Sequence, residues 1–320
     1  MVKKTPLIAI DLGSNSIRLI CGSPQKYPQN SIKICLRKLR IARLGEGFEP
    51  DGYLKPPAMD RAIQVLKELT SQYRGYSFEH IRMVTTGVVR EAENQEEFLV
   101  RVKKEVGIQS RVLKGEEEAE LTLHGVLSTL KGLTMPLFIC DIGGGSTEFA
   151  IQLSDGTKDF FSIPVGVIRL TERLGISAPI NVDNEKEMNA YIKTNLAKIL
   201  GGCPKKAVFV ATAGTPTTLA SIDQALKIYD PVKVHGYTFN LYRLREIYER
   251  IKIMNVKQRR KIPGLERGRE DIIVPGTAIL LCVMEKLDME SLIVSEGGLL
   301  EGVLAQAYEK SWGVIPRIEL

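Results

Sequence analysis

The chain has 320 residues, of which 44% are hydrophobic and 26% charged, with a net charge of +6. That length predicts two domains of comparable size, and the composition excludes a disordered chain. The positive charge is modest and dispersed apart from Arg37 to Arg43, Lys205-Lys206 and Lys257 to Lys261, so it suits anionic substrates without indicating nucleic acid.

Five cysteines, Cys21, Cys35, Cys140, Cys203 and Cys282, are odd in number and widely spaced, and are read as buried free thiols in a reducing compartment. There is no CxxC pair, and His80, His124 and His235 are too scattered for a zinc site. Met1 to Pro6 leads straight into a strand, and no apolar run approaches membrane-spanning length. A cytoplasmic protein with no membrane and no nucleic-acid partner is expected.

In chain order, Leu7 to Ile20 comes first: an apolar run, Asp11, Gly13-Ser14-Asn15-Ser16, then a polar-apolar alternation through Arg18. This predicts a hairpin with a small-residue tip. Ser31 to Leu44 is read as a further strand, Gly45 to Gly52 as a loop, and Pro56-Pro57 as the start of a helix with Ile63, Leu66, Leu69 and Tyr73 on one face. Ile81 to Thr86 predicts a buried strand, Gly87 to Asn94 a loop carrying Arg90, and Gln95 to Val106 a helix. The alternation argues an α/β domain. Gly115 then opens a helix whose first turn is acidic, Glu116-Glu117-Glu118. Such residues favour the helix dipole and need no catalytic role. Glu118, Thr122 and Gly125 nevertheless form a narrow stripe that a ligand could approach.

Leu137 to Ile151 repeats the plan of the N-terminus: an apolar run, Asp141, Gly143-Gly144-Gly145, Ser146-Thr147, then alternation. Glycines let successive N–H groups face one concavity and hold an anion, to which Ser146 and Thr147 add hydroxyl donors. Asp141 cannot welcome phosphate directly, but can hold a hard cation such as Mg2+ that brings a polyanion near. A plain glycine-rich turn with an incidental aspartate competes with this reading. The repetition decides between them, because Asp11 matches Asp141, Gly13 matches Gly143 and Ser16 matches Ser146. Two related half-molecules are implied, with the polyanion held in an interdomain cleft.

Beyond this hairpin, Asp159 to Pro164 is a predicted strand and Val165 to Glu172 a turn into a helix; a second helix lies within Ile180 to Leu200, closed by Gly201-Gly202. Ala207 to Thr218 is strand, Gly214-Thr215 turn, then helix; its start either exposes N–H groups to an anion or is capped by Thr215. Tyr237 to Ile253 is predicted helical, Lys257 to Arg269 a solvated basic loop, Pro275 to Leu287 a helix, and Leu292 to Gly298 a strand and glycine turn. A last helix runs to about Glu309. The boundary is placed near His124 to Ser128, giving domain I as 1–125, with a C-terminal helix of about 302–320 returning to it, and domain II as 126–301.

With both hairpins in view the chain resembles the exopolyphosphatase and guanosine pentaphosphate phosphohydrolase (Ppx/GppA) family, within the actin-like superfamily. The resemblance runs nearly end to end, through Asp11 to Ser16 with Arg18, Thr86 to Asn94, Gly115 to Ala119, Asp141 to Glu148, Gly166 to Glu172, Thr212 to Thr215, Tyr229 to Gly236 and Val294 to Gly298. It implies an α/β fold of two actin-like, ribonuclease H-like domains with mixed sheets flanked by helices. By the same resemblance Glu118 becomes the general base that activates water, Arg90 grips the terminal phosphate, and Asp141 and Asp11 attend a divalent cation, Mg2+ in the first instance. Gly13, Ser14, Asn15, Ser16 and Arg18, Gly143, Gly144, Gly145, Ser146 and Thr147, and Gly214 with Thr215 become phosphate-binding. Three positions depart from the family: Leu300 stands where an arginine is usual, Pro216 replaces a small residue, and Gly87 replaces a hydroxyl residue. The chain also stops where longer members carry a further helical domain.

The implied activity is hydrolysis of the terminal phosphoanhydride of inorganic polyphosphate. Guanosine pentaphosphate, converted to the tetraphosphate, is a second candidate substrate, which would tie the chain to the stringent response; a homodimer is an admitted partner state. Two other classes share the fold: an ATP-dependent small-molecule kinase, and a non-catalytic alarmone or polyphosphate sensor. Glu118 favours hydrolysis over the kinase.

Overall fold

Apolar alternation through the first forty residues produces three antiparallel strands, β1 (Leu7–Leu12), β2 (Ser16–Pro24) and β3 (Ser31–Ile41). A computed structural model describes residues 6–25, 30–49, 51–73, 80–175, 178–197, 199, 203–204 and 206–320. The expected lead-in of Met1 to Thr5 and the Gly201-Gly202 stop lie outside the described residues. There follow α1 (Pro56–Thr70), β4 (Ile81–Thr85), α2 (Gly87–Glu91), α3 (Gln95–Val106), β5 (Ser110–Val112) and α4 (Gly115–Thr129). Next come β6 (Leu137–Ile142), β7 (Thr147–Gln152), β8 (Lys158–Ile163), α5 (Val167–Arg173), α6 (Val182–Leu196), β9 (Val208–Thr212), α7 (Gly214–Asp223), α8 (Pro231–Val234), β10 (Thr238–Asn240), α9 (Leu241–Lys252), α10 (Val256–Arg259), α11 (Ile273–Lys286) and β11 (Ser291–Val294). The chain ends with α12 (Leu299–Trp312) and β12 (Arg317–Glu319). No helix among the described residues is long and apolar enough to cross a membrane.

The chain divides into two compact units, Met1–Thr129 with Gly297–Leu320, and Leu130–Glu296. Each carries one six-stranded mixed sheet, ordered β12-β3-β2-β1-β4-β5 in the first and β10-β11-β9-β6-β7-β8 in the second. Read from the third strand of each, β3-β2-β1-β4-β5 and β8-β7-β6-β9-β11 follow one plan, two antiparallel pairings then two parallel ones. The half-molecule repetition seen in the motifs is therefore a repetition of topology. This is the α/β, actin-like architecture.

In the first unit the sheet is covered on both faces, as the period of two in β1 requires. Ile8, Ile10 and Leu12 meet α1 and α3 through Ile63, Leu66 and Phe98, while Ala9 joins Ile20, Ile32 and Val84 against α4 and α12. The α4–α12 crossing depends on two absent side chains. A Cβ on Gly125 would lie 1.9 Å from the Gly298 carbonyl oxygen, and one on Gly302 would lie 1.8 Å from that of Leu121. Leu300 is buried in this same core, where its apolar side chain packs among Leu299, Val303 and Leu304. In the second unit Phe138, Cys140, Ile142, Phe149 and Ile151 form one core with Met188, Ile192, Leu244, Ile247 and α11.

Several sequence expectations are corrected. Gly87 to Glu91 is helical, not loop, because a five-residue helix is too short to show a period; Arg90 sits in its last turn. The helix expected from Tyr237 starts at Leu241, since Thr238–Asn240 pairs with β11 and the Asn240 side chain accepts a hydrogen bond from the Arg243 N–H at 2.7 Å, capping α9. The last helix runs to Trp312, and β12 follows it to pair with β3, a long-range parallel contact with no local signal. Cys35 is exposed, while Cys21 and Cys203 are partly buried and Cys140 and Cys282 fully so; all five are free. The basic segment from Lys257 is not a solvated loop, because Arg259 is only 1% and Arg269 9% exposed.

Candidate active site

Both glycine-bearing hairpins form as the repetition implied, with matching geometry. The Gly13 N–H donates to the Ser16 carbonyl at 3.2 Å, and the Gly143 N–H to that of Ser146 at 3.0 Å. Around the first tip, the Ser14 carbonyl accepts from Gly45 N–H, and the Asn15 carbonyl from Ala42 and Arg43. In a trans peptide the following N–H points opposite to the carbonyl. The N–H groups of Asn15 and Ser16 therefore face away from that anchor.

The second tip reaches the same result by another route. The Gly143 carbonyl accepts from Val167 N–H at 3.1 Å, and that of Gly144 from Ile168 and Arg169 at 2.9 and 3.2 Å. The first turn of α5 is spent holding the glycine loop, and the N–H groups of Gly144 and Gly145 are turned outward. Gly166 makes this approach feasible, because a Cβ there would stand 2.3 Å from the Gly144 oxygen. Ser146 is buried at the tip, and Thr147 is fully buried with its hydroxyl donating to the Val165 carbonyl, which gives that side chain a bracing task.

The two aspartates occupy equivalent strand ends but have different neighbours. Asp11 lies across the hairpin from Arg18, whose Nη2 and Nε reach Asp11 Oδ2 at 2.6 and 3.0 Å. Arg18 and Asp11, expected on phosphate and metal respectively, thus hold one another here. Asp141 lies across its hairpin from Glu148, and both are buried. Residues directly opposite on antiparallel strands share a face. Two buried carboxylates on one face make an oxygen-rich, doubly negative locus, the donor chemistry of a hard divalent cation. Burial, followed by the charges of Asp141 and Glu148, pushes the neighbouring Cys140 thiol well up. The residues of the second unit therefore fit Mg2+ better than Asp11 does. Glu148 was missed as a candidate, although its hairpin offset from Asp141 equals that of Arg18 from Asp11.

In the first unit Glu118 is buried on α4, and its Oε2 accepts from Arg90 Nη1 at 2.9 Å. Arg90 Nη1 also donates to the Leu113 carbonyl at 3.1 Å, which ties α2 to the entry of α4. The acidic run is divided in its work. Glu117 accepts from the Lys114 N–H at 2.9 Å and pairs with Arg111, and the Lys114 hydrogen bond foremost holds its carboxyl below the usual range. Glu117 thus serves the helix start and the exposed Arg111, whereas Glu118 is buried against Arg90.

The β9–α7 turn brings a further cation. α7 begins at Gly214 with Ala213 at φ 72° as its cap residue and no side-chain cap, so Thr215 lies inside the helix and does not cap it. The Arg269 guanidinium lies over Gly214, so closely that a Cβ there would meet Nη1 at 2.1 Å. A helix start carries partial positive charge, and the guanidinium beside it, paired through Nε with Glu266 at 2.6 Å, adds donors that favour an anion at the same place. Tyr229 borders the same turn, its hydroxyl donating to Glu296; burial first, then Glu296, pushes its pKa upward. Arg269 escaped the sequence reading because it lies in a basic run that has the composition of a surface segment.

The Ppx/GppA phosphatase family profile matches residues 23–311. A bifunctional 3-dehydroquinate synthase/phosphatase of Fusobacterium nucleatum is 29% identical over 92% of this chain, which spans 46% of that protein. Exopolyphosphatase 2 of Mycobacterium tuberculosis is 29% identical over 93% of this chain and 97% of its own length. The crystal structure of an Aquifex aeolicus Ppx/GppA member is similar with a TM-score of 0.78 and 30% identity, covering 96% of this chain and 98% of that one. With the motifs, the duplicated topology and a profile match along most of its length in agreement, this chain belongs to the Ppx/GppA phosphatase family.

Proposed function

We propose that the chain is a phosphoanhydride hydrolase that removes the terminal phosphate of inorganic polyphosphate, with guanosine pentaphosphate as a second substrate. The observation that carries this reading is the buried Glu118 carboxylate held by Arg90. Phosphoryl transfer to water needs a positioned nucleophile and neutralised phosphate charge, with little covalent work by protein. In this reading Glu118 orients water and takes its proton. Arg90, hydrogen-bonded to Glu118, is the cation that meets the terminal phosphate.

In this reading the outward N–H groups of Asn15 and Ser16 bind phosphate oxygens in the first unit, and in the second those of Gly144 and Gly145, with the start of α7 and Arg269, do the same. Asp141 and Glu148 would hold Mg2+, which when bound supplies charge neutralisation between carboxylates and polyanion. Arg18 is the residue that exchanges partners, leaving Asp11 for phosphate when substrate arrives. The test is phosphate release by the pure protein from polyphosphate, guanosine pentaphosphate and ATP in Mg2+. Release from polyphosphate supports the reading; release from none of the three, or ATP turnover that requires a small acceptor, rejects it.

A further inference from the structure

The segment that delivers Arg269 is organised by a second arginine, in the interior of the second unit. Arg259 is 1% exposed. Its Nε donates to the Ile251 carbonyl in the last turn of α9 at 3.0 Å, and its Nη1 to the Glu270 carbonyl at 2.8 Å. Its Nη2 is buried with no hydrogen-bond partner among the described residues. Desolvation lowers its pKa, opposed by Asp271. An apolar side chain of similar volume would remove the buried charge but would leave the Ile251 and Glu270 carbonyls without this donor.

What the arginine does is hold the backbone just after residue 269 against the end of α9. Its grip on the Glu270 carbonyl fixes the Glu270–Asp271 peptide, one residue beyond Arg269. The Glu270 carboxylate in turn accepts from the Gly268 N–H at 2.9 Å, with Arg260 on its other oxygen at 3.3 Å. The Arg269 carbonyl accepts from Ile272 and Ile273 at the start of α11, and its Nε donates to Glu266 at 2.6 Å. The outcome of this clamp is a guanidinium pressed on Gly214 beside the bare start of α7, with Glu266 as its carboxylate partner.

We propose that Arg259 is a positioning residue for anion binding, which holds Arg269 over the first turn of α7 so that helix start and guanidinium receive one phosphate group together. This rests on the reading of that turn as phosphate-binding. Binding of tripolyphosphate to the full-length protein, measured by calorimetry, needs no turnover and tests both levels through a double-mutant cycle. Arg269→Ala should weaken binding, and Arg259→Met should weaken it roughly tenfold, as expected when a charged hydrogen-bonding group is displaced. In Arg269→Ala the further change Arg259→Met should then cost nothing, because its effect passes through the missing guanidinium.

Losses that multiply in the double variant overturn the proposal, as does an Arg259→Met protein that binds normally while its melting temperature falls. If Arg269→Ala itself binds as the parent does, the phosphate reading of this turn fails instead. Should Arg259→Met not fold, Arg259→Lys retains the charge but carries its donors on one nitrogen, and so does not reproduce the separate Nε and Nη1 bonds to the two carbonyls. It enters the same cycle, where weakened binding that vanishes in Arg269→Ala supports the proposal and multiplying losses overturn it.

Discussion

Arg90 Nη1 stands 2.9 Å from Glu118 Oε2, while Glu117, one residue earlier, is turned to Lys114 and Arg111. This makes adjacent glutamates of one helical turn a matched experiment. Glu118→Gln keeps size and hydrogen bonding but removes the base, so turnover on polyphosphate should fall by roughly 10²–10⁴-fold with substrate binding retained. Glu117→Gln should cost only about 0.3–1 kcal/mol of stability and leave turnover nearly intact. Phosphate release measured beside thermal unfolding separates the two; equal small losses would remove Glu118 from the mechanism.

Asp141 and Glu148 face one another across the second hairpin, and the cation should depend on both. Asp141→Asn should weaken Mg2+ binding, read by calorimetry, by about tenfold or more, and lower turnover with it. Glu148→Gln should move both in the same direction. Chelation should abolish activity and Mg2+ restore it, whereas full activity in metal-free protein would contradict the assignment.

The α4–α12 crossing leaves no room for a methyl group at Gly302, where the obstacle is the backbone oxygen of Leu121. Backbone cannot rotate away as a long side chain can. Gly302→Ala should therefore destabilise the protein by about 1–3 kcal/mol or more, seen as a lowered denaturant midpoint. Gly125→Ala should do likewise against Gly298, and a parent-like midpoint in either variant would mean that the helices part more readily than their packing implies.

Thiol chemistry should report burial directly. Cys35 is exposed, whereas burial pushes Cys203 up to about 11 and Cys282 up to about 12. A raised pKa leaves little thiolate at pH 8, and thiolate is the reactive form. Labelling with a thiol-specific disulfide reagent should thus begin at Cys35, with Cys140 and Cys282 protected until denaturant is added. Peptide mapping that finds Cys282 modified as early as Cys35 would refute this order.

What the sequence alone determined were features written locally and twice. Each Asp-x-Gly hairpin carries its own apolar alternation, aspartate and small-residue tip, so its strands and turn follow from a dozen neighbouring residues, and the second copy exposes the repeated topology. The family was legible for the same reason, since its motifs are short and contiguous. Tertiary structure alone decided which carboxylate of the acidic run is buried against Arg90, because Glu117 and Glu118 have the same charge in the same turn and differ only in what packs against them. It decided equally that Arg259 and Arg269 lie inside, since a basic run reads as surface until distant carbonyls and a glycine are brought to it. β12 also belongs to that class: three residues with no period of their own become a strand only because β3 offers an edge.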